Sequence, residues 1–102
     1  MTVNLGDVIA MRIYKLGTNS NEELVVQIGK PTHFPDSDDF YVPYRITGAG
    51  DEATRYIGGI DSVQCLQLVM HIIGAELFRL SELLGQSIRW SGGDNGEIGF
   101  PL

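Results

Sequence analysis

From Asp61 to Gly85 apolar side chains recur at spacings of three and four residues: Leu66, Val69, Met70, Ile73, Leu77, Leu80 and Leu84. That period is helical, and a helix with one apolar stripe must bury it against another element. A second flank of Val63, Leu68, Ile72 and Leu83 widens the stripe, as suits a helix laid across a sheet. The opposite side collects Gln64, Gln67, His71, Ala75 and Glu82. Gly74 interrupts the helix at a cost of roughly 1 kcal/mol relative to alanine. A close approach by another backbone, such as the strand around Trp90, or a kink would account for it.

The preceding sixty residues have the period of two that marks strands. In DVIAMRIYK, Ile9, Met11 and Ile13 share one face, with Ala10, Arg12 and Tyr14 on the other. LGTNSN supplies a turn, and EELVVQIG follows with Leu24, Val26 and Ile28 facing one way, so the two segments predict a hairpin. KPTHFPDSDD, residues 30–39, reads as a loop, because two prolines lack ladder donors and clustered carboxylates repel. FYVPYRITG aligns Phe40, Val42, Tyr44 and Ile46, while Pro43 inside it predicts an edge strand or a bulge. GAGDE turns the chain into ATRYIGG. After the helix, QSIRW and EIGF predict short strands around the turn-rich SGGDNG.

The junction GGIDSVQ, residues 58–64, resembles the start of a phosphate-binding turn only superficially. It has neither the third glycine of a dinucleotide fingerprint nor the lysine of a P-loop. Asp61 instead suits an N-cap, with Gln64 three residues later completing a capping box. Gly48-Ala49-Gly50 precedes a strand and two acids, which fits a hairpin turn and not a phosphate cradle.

The fold class expected is α+β: an antiparallel sheet of about four to six strands with one long α-helix packed on one face. A single domain spans residues 1–102, with a β-meander at 1–60, the helix at 61–85 and short strands in 86–102. Thirteen acidic side chains against seven basic ones leave a net charge of −6. That field repels phosphate backbones, so no nucleic-acid partner is expected, and it attracts basic protein surfaces. The polar residues inside the long helix argue against a membrane span. The N-terminus lacks the pattern of a signal peptide. A lone cysteine, Cys65, agrees with a reducing compartment, so the expected location is cytoplasmic.

No arrangement with the spacing of a catalytic constellation emerges, and the chain is not expected to be an enzyme. Cys65 and His71 lie about 1.7 helical turns apart, so their side chains point to different sides. His33 sits near Asp36, Asp38 and Asp39, but that run lacks the pattern of a calcium loop and the His or Cys content of a zinc site. No metal or cofactor is therefore expected. What remains is a surface. Phe34, Asp36, Asp38, Asp39, Tyr41, Asp51 and Glu52 are the expected partner-binding residues, rings supplying contact area and carboxylates supplying selectivity.

Several stretches resemble a family of small bacterial proteins of unknown function. They are Ile28-Gly29 with Pro31, the acidic loop Asp36 to Asp39, Tyr41-Val42-Pro43-Tyr44, Gly58 to Gln64, Ile73 to Leu77, and Trp90 to Gly93. Val42 stands where the family strand carries cysteine, which argues against thiol chemistry there. The resemblance implies no established activity. Small size, acidity and expected compartment make the chain similar to immunity proteins of toxin systems, including contact-dependent growth inhibition. The leading expectation is thus a protein-binding antagonist that neutralises a basic toxin domain through an acidic surface. The alternative is a self-associating structural or regulatory module, such as a homodimer.

Overall fold

In the computed structural model, which describes residues 3–17, 21–94 and 96–101, six antiparallel strands form one sheet and a single helix packs on it. The strands are β1 (Val8–Leu16), β2 (Glu23–Gly29), β3 (Thr32–His33), β4 (Phe40–Thr47), β5 (Arg55–Gly59) and β6 (Ile88–Arg89). The helix α1 spans Ser62–Leu84. β1, β2, β4 and β5 follow one another across the sheet, and β6 adds to the outer edge of β1 at Lys15 and Leu16. The turn expected in LGTNSN falls largely on residues 18–20, outside the described residues.

The core lies between α1 and one face of the sheet. Cys65, Val69, Ile73, Leu77 and Leu80 are buried from the helix side. Leu24, Val26 and Ile28 of β2 and Val42, Tyr44 and Ile46 of β4 are buried from the sheet side, as their alternation predicts. Each such aliphatic side chain contributes about 1.5–3 kcal/mol when fully buried. The second helical flank behaves otherwise. Val63 and Leu83 are 61% and 71% exposed, and Leu68 and Ile72 also face solvent. The contact stripe is therefore narrower than the sequence suggests, because a round helix touches a sheet along one line of side chains. By length and composition alone α1 could cross a membrane, but here its buried stripe lies on the sheet.

Both ends of α1 are closed by local chemistry. The Asp61 carboxylate accepts from the Gln64 backbone N–H at 2.7 Å, and the Gln64 side chain accepts from the Ile60 N–H at 2.8 Å. At the other end Gly85 takes a left-handed φ of 64°, and the Gly85 and Gln86 N–H groups return to the carbonyls of Glu82 and Ser81. Only glycine adopts that turn without steric cost.

Three sequence expectations need correcting. Residues 30–39 are not wholly a loop, since Thr32 and His33 pair with Tyr41 and Phe40 of β4. β4 is not an edge strand either, because β2 and β3 line one side and β5 the other. The disruption that Pro43 requires lies in the neighbouring strand. Ile28 opposes Tyr44 and Thr32 opposes Tyr41, so residues 29–31 face only residues 42 and 43. This bulge turns the Lys30 N–H away to the Asp7 carbonyl at 3.1 Å. Pro43 thus sits where the ladder is already interrupted. A Cβ at Gly29 would overlap the Leu5 carbonyl oxygen and the Pro43 ring, so glycine makes this approach possible.

The third correction concerns the C-terminus. QSIRW gives β6, but EIGF forms no strand and instead crosses β1 and α1. The buried Tyr14 hydroxyl donates to the Ile98 carbonyl, and the Arg12 guanidinium donates to the Gly99 carbonyl at 3.0 Å. Arg12 also lies 3.9 Å from the Trp90 ring centroid, a cation–π contact. Gly74 makes room for this segment: a Cβ there would stand 3.1 Å from Phe100 Cβ. The close approach is real, but Phe100 and Pro101 make it, not the strand around Trp90.

Asp61→Ala removes the acceptor for the Gln64 N–H and is expected to lower unfolding stability by roughly 1 kcal/mol. Asp61→Asn should retain most of it. Denaturant titration of the three proteins tests this, and equal midpoints for wild type and alanine variant would contradict the cap.

Candidate functional site

Alternation on β4 sends Val42, Tyr44 and Ile46 to the helix and Tyr41, Pro43 and Arg45 to the other side of the sheet. No helix or further strand packs on that outer face among the described residues, but the segment around Leu5 lies against Gly29 there and Pro43 is buried. Cross-strand pairing places Tyr56 beside Pro43 and Gly58 beside Tyr41. Phe34 folds over from the bend after β3, its N–H held by the Asp39 carbonyl at 3.0 Å. Three rings meet as a result. Centroids are 5.1 Å apart for Phe34 and Tyr41, 6.1 Å for Phe34 and Tyr56, and 5.9 Å for Tyr41 and Tyr56. These are favourable edge and tilted geometries.

Glycine at position 58 leaves space under Phe34, whose ring lies 3.5 Å from where a Cβ would stand. Beside the cluster the loop exposes Asp36, Asp38 and Asp39. None of the three forms an ion pair among the described residues. His33 stacks on Phe40 with centroids 3.9 Å apart. No three His, Cys, Asp or Glu side chains converge as a metal site among the described residues.

Asp51 and Glu52 are elsewhere. They occupy the turn after the far end of β4, whose eight residues carry them about 23 Å from the acidic loop that precedes it. Both are engaged locally. Asp51 pairs with Arg55 at 2.5 Å, and Glu52 accepts from the Gly48 N–H at 3.1 Å. Hydrogen bonds from Ala53 and Arg55, with the charge of Arg55, hold the Asp51 carboxyl below its ordinary range. The seven residues expected to form one surface therefore divide into two groups.

The outer face also contains residues that the sequence did not single out as a site. Ile9 and Met11 of β1 are 51% and 59% exposed, and Val8 and Ile13 are exposed with them. Met11 opposes Gln27, which opposes Arg45, and Gln27 accepts from the Arg45 guanidinium at 2.9 Å. Ile13 opposes Val25, and the row beyond holds the Lys15–Glu23 ion pair at 2.6 Å. The apolar strip on β1 thus runs beside the polar Gln27–Arg45 row toward the aromatic cluster. Its signal was present in the alternation, but alternation does not say which face of β1 the helix covers. Tyr56 was readable in the same way, as an aromatic opposite Pro43 once strand pairing is known.

Cys65 and His71 do not form a reactive pair. The Cys65 thiol is fully buried, and burial together with Asp61 raises its pKa, which disfavours the nucleophilic thiolate. His71 lies on the exposed side of α1.

These features define an α+β domain with one face of its sheet covered by a helix and the other open, aromatic and rimmed by acid. The chain belongs to the DUF6968 family, a domain of unknown function, whose family model matches residues 10–102. No curated protein matches the chain, and neither does any solved structure.

Two tyrosines tie the fold to alkaline pH. Burial raises both Tyr14 and Tyr44 above the ordinary value of 10.0, although Arg12 opposes the shift at Tyr14 and Arg55 opposes it at Tyr44. The folded state then holds these protons more tightly than the unfolded chain does. Their contribution is complete below about pH 10 and is lost as pH rises through the folded-state values. Unfolding free energy is expected to fall above about pH 10, and to fall less steeply in the Tyr14→Phe/Tyr44→Phe variant. Denaturant titrations between about pH 8 and 11 test this, and parallel pH profiles for the two proteins would contradict it.

Proposed function

We propose that this chain is a protein-binding antagonist of the immunity-protein kind, which caps a basic toxin domain with the open face of its sheet. The observation that carries the reading is the Phe34–Tyr41–Tyr56 cluster, set directly beside three exposed carboxylates without ion-pair partners. Large rings anchor an interface at low entropic cost, and a charged rim steers and selects the partner. A nuclease-type toxin carries a basic surface for its own substrate, so an acidic cap both finds and obstructs it. The net charge of −6 works in the same direction over longer range. Asp51 and Glu52 stand outside this surface. The same reading has the chain acting by binding and not by catalysis, in the cytoplasm, which the lone buried Cys65 supports.

A homodimer formed through the same face is the second reading. The exposed Ile9, Met11 and Ile13 strip favours it, since such apolar rows associate readily with their own kind.

Capture from lysate of the producing cells, with wild-type and Asp36→Asn/Asp38→Asn/Asp39→Asn proteins immobilised in parallel, separates these readings. A basic protein held by wild type at low salt, and bound by the variant roughly tenfold more slowly, is the expected result. Phe34→Ala/Tyr41→Ala should shorten the lifetime of the same complex. Retention of that protein by all variants alike would overturn the surface. Recovery of only the chain itself, with a dimer that grows with concentration on sizing, would replace it with the second reading.

A further inference from the structure

One edge of the sheet is open along most of its length. β2 pairs with β1 over residues 8–15, but on the other side β6 covers only Lys15 and Leu16. Backbone groups point to alternate sides along a strand, and the end of β1 fixes which residues point where. The Leu16 N–H donates to the Glu22 carbonyl on the β2 side, and the Gly17 N–H donates to the Ser87 carbonyl beside β6. Counting back from Gly17, Met11 and Ile13 direct their N–H and C=O groups to the open edge. These groups have no hydrogen-bond partner among the described residues.

The other edges of the sheet are short. β3 has two residues, and β5 has five and ends in Gly58 and Gly59. Residues 10–13 lack the features that keep an edge strand from pairing, such as proline, lysine or a covering loop. Their one charge, Arg12, is committed to the Gly99 carbonyl and the Trp90 ring. The irregularity between Val8 and Ala10 lies at the end of the stretch. Met11 and Ile13 are 59% and 42% exposed. Only another extended backbone supplies donors and acceptors at the spacing these residues present, so the occupant is a strand.

That strand is matched by β1 itself. Antiparallel pairing about a two-fold axis at Met11 opposes Ile9 to Ile13 of the second copy, and Ala10 to its Arg12. Met11 then exchanges two backbone hydrogen bonds with its own counterpart. An axis one residue later would set Arg12 against Arg12, and one residue earlier would draw Val8 and the irregularity into the ladder. Charge agrees with this arrangement. Asp7 and Arg89 form no ion pair among the described residues, and antiparallel pairing carries Asp7 of one copy toward the end of the stretch where Arg89 of the other stands. We propose that two copies of this chain pair edge to edge through β1, antiparallel and centred on Met11, so that their six-stranded sheets run on as one. The ring cluster on β4 and β5 stays open in each copy, so the pairing is independent of the antagonist reading.

Sedimentation of the purified chain from about 1 to 500 μM is expected to show a monomer–dimer equilibrium with a dissociation constant on the order of 10 μM, as suits a small interface. Amide exchange followed by NMR should slow at Met11 and Ile13 at least about tenfold as the dimer fills. Met11→Lys and Met11→Glu change an exposed side chain, and each should weaken the dimer at least about tenfold, because like charges meet on the axis. Mixed in equal amounts, the two variants should recover a heterodimer of about wild-type affinity. A chain that stays monomeric up to about 500 μM would overturn the proposal. So would a dimer whose Met11 and Ile13 amides exchange as in the monomer, which is the mark of pairing through the sheet face. A Met11→Lys variant that dimerises like wild type would overturn it as well.

Discussion

Everything in this structure follows from one contact: the stripe Val69, Ile73, Leu77 and Leu80 of α1 pressed onto the even-numbered residues of β2 and β4. A single helix can cover one face of a sheet and no more. That contact sets which residues form the core, and it also leaves the reverse face bare. The open aromatic surface is thus a direct consequence of having only one helix. The caps at Asp61 and Gly85 fix where the covering element begins and ends. They do not decide what it covers.

β4 is the strand along which the candidate surface and the core meet. Its outward residues, Tyr41 and Pro43, belong to the ring cluster, and its inward Tyr44 belongs to the core. The bulge at residues 29–31 lets this long strand pair with β2 and then β3 on one side, despite a proline in its middle. One proline therefore shapes the neighbouring strand and leaves its own in place. The acids divide along the same axis. Asp36, Asp38 and Asp39, just before β4, form no ion pair among the described residues, whereas Asp51 and Glu52 after it are tied into the turn by Arg55 and Gly48. Charge that is already paired does little to attract a partner, so the difference matters for function.

The C-terminal segment holds the other end of the sheet without pairing as a strand. Side chains of β1 do the work: Tyr14 and Arg12 bond to backbone carbonyls at Ile98 and Gly99, and Arg12 lies against Trp90. This uses the polar ends of residues whose bodies are in or near the core. Tyr14 faces inward with Leu16, and from there its hydroxyl reaches the last residues of the chain.

Local chemistry was legible in the sequence. Alternation in β2 and β4, the helical period after Asp61, the cap at Asp61 with Gln64 and the stop at Gly85 are all set by neighbours within a few residues, so reading along the chain recovers them. The α+β class followed, because one helical stripe and several half-apolar strands have few ways to bury each other. The aromatic and acidic residues around the loop were also visible, as were Phe34, Tyr41 and Asp36 to Asp39 as a candidate surface. What the sequence could not give was the choice between faces and the distances between segments. β1 has apolar residues on both sides, and only packing decided that Ile9, Met11 and Ile13 would stay outside. Val63 and Leu83 fit the helical stripe by period, yet they lie outside the one line of side chains along which a helix touches a sheet. Asp51 and Glu52 joined the other acids by composition, and the length of β4 set them apart. Periodicity reports which side chains share a face. Which face is buried, and what lies beside what, depends on contacts between residues far apart in the chain.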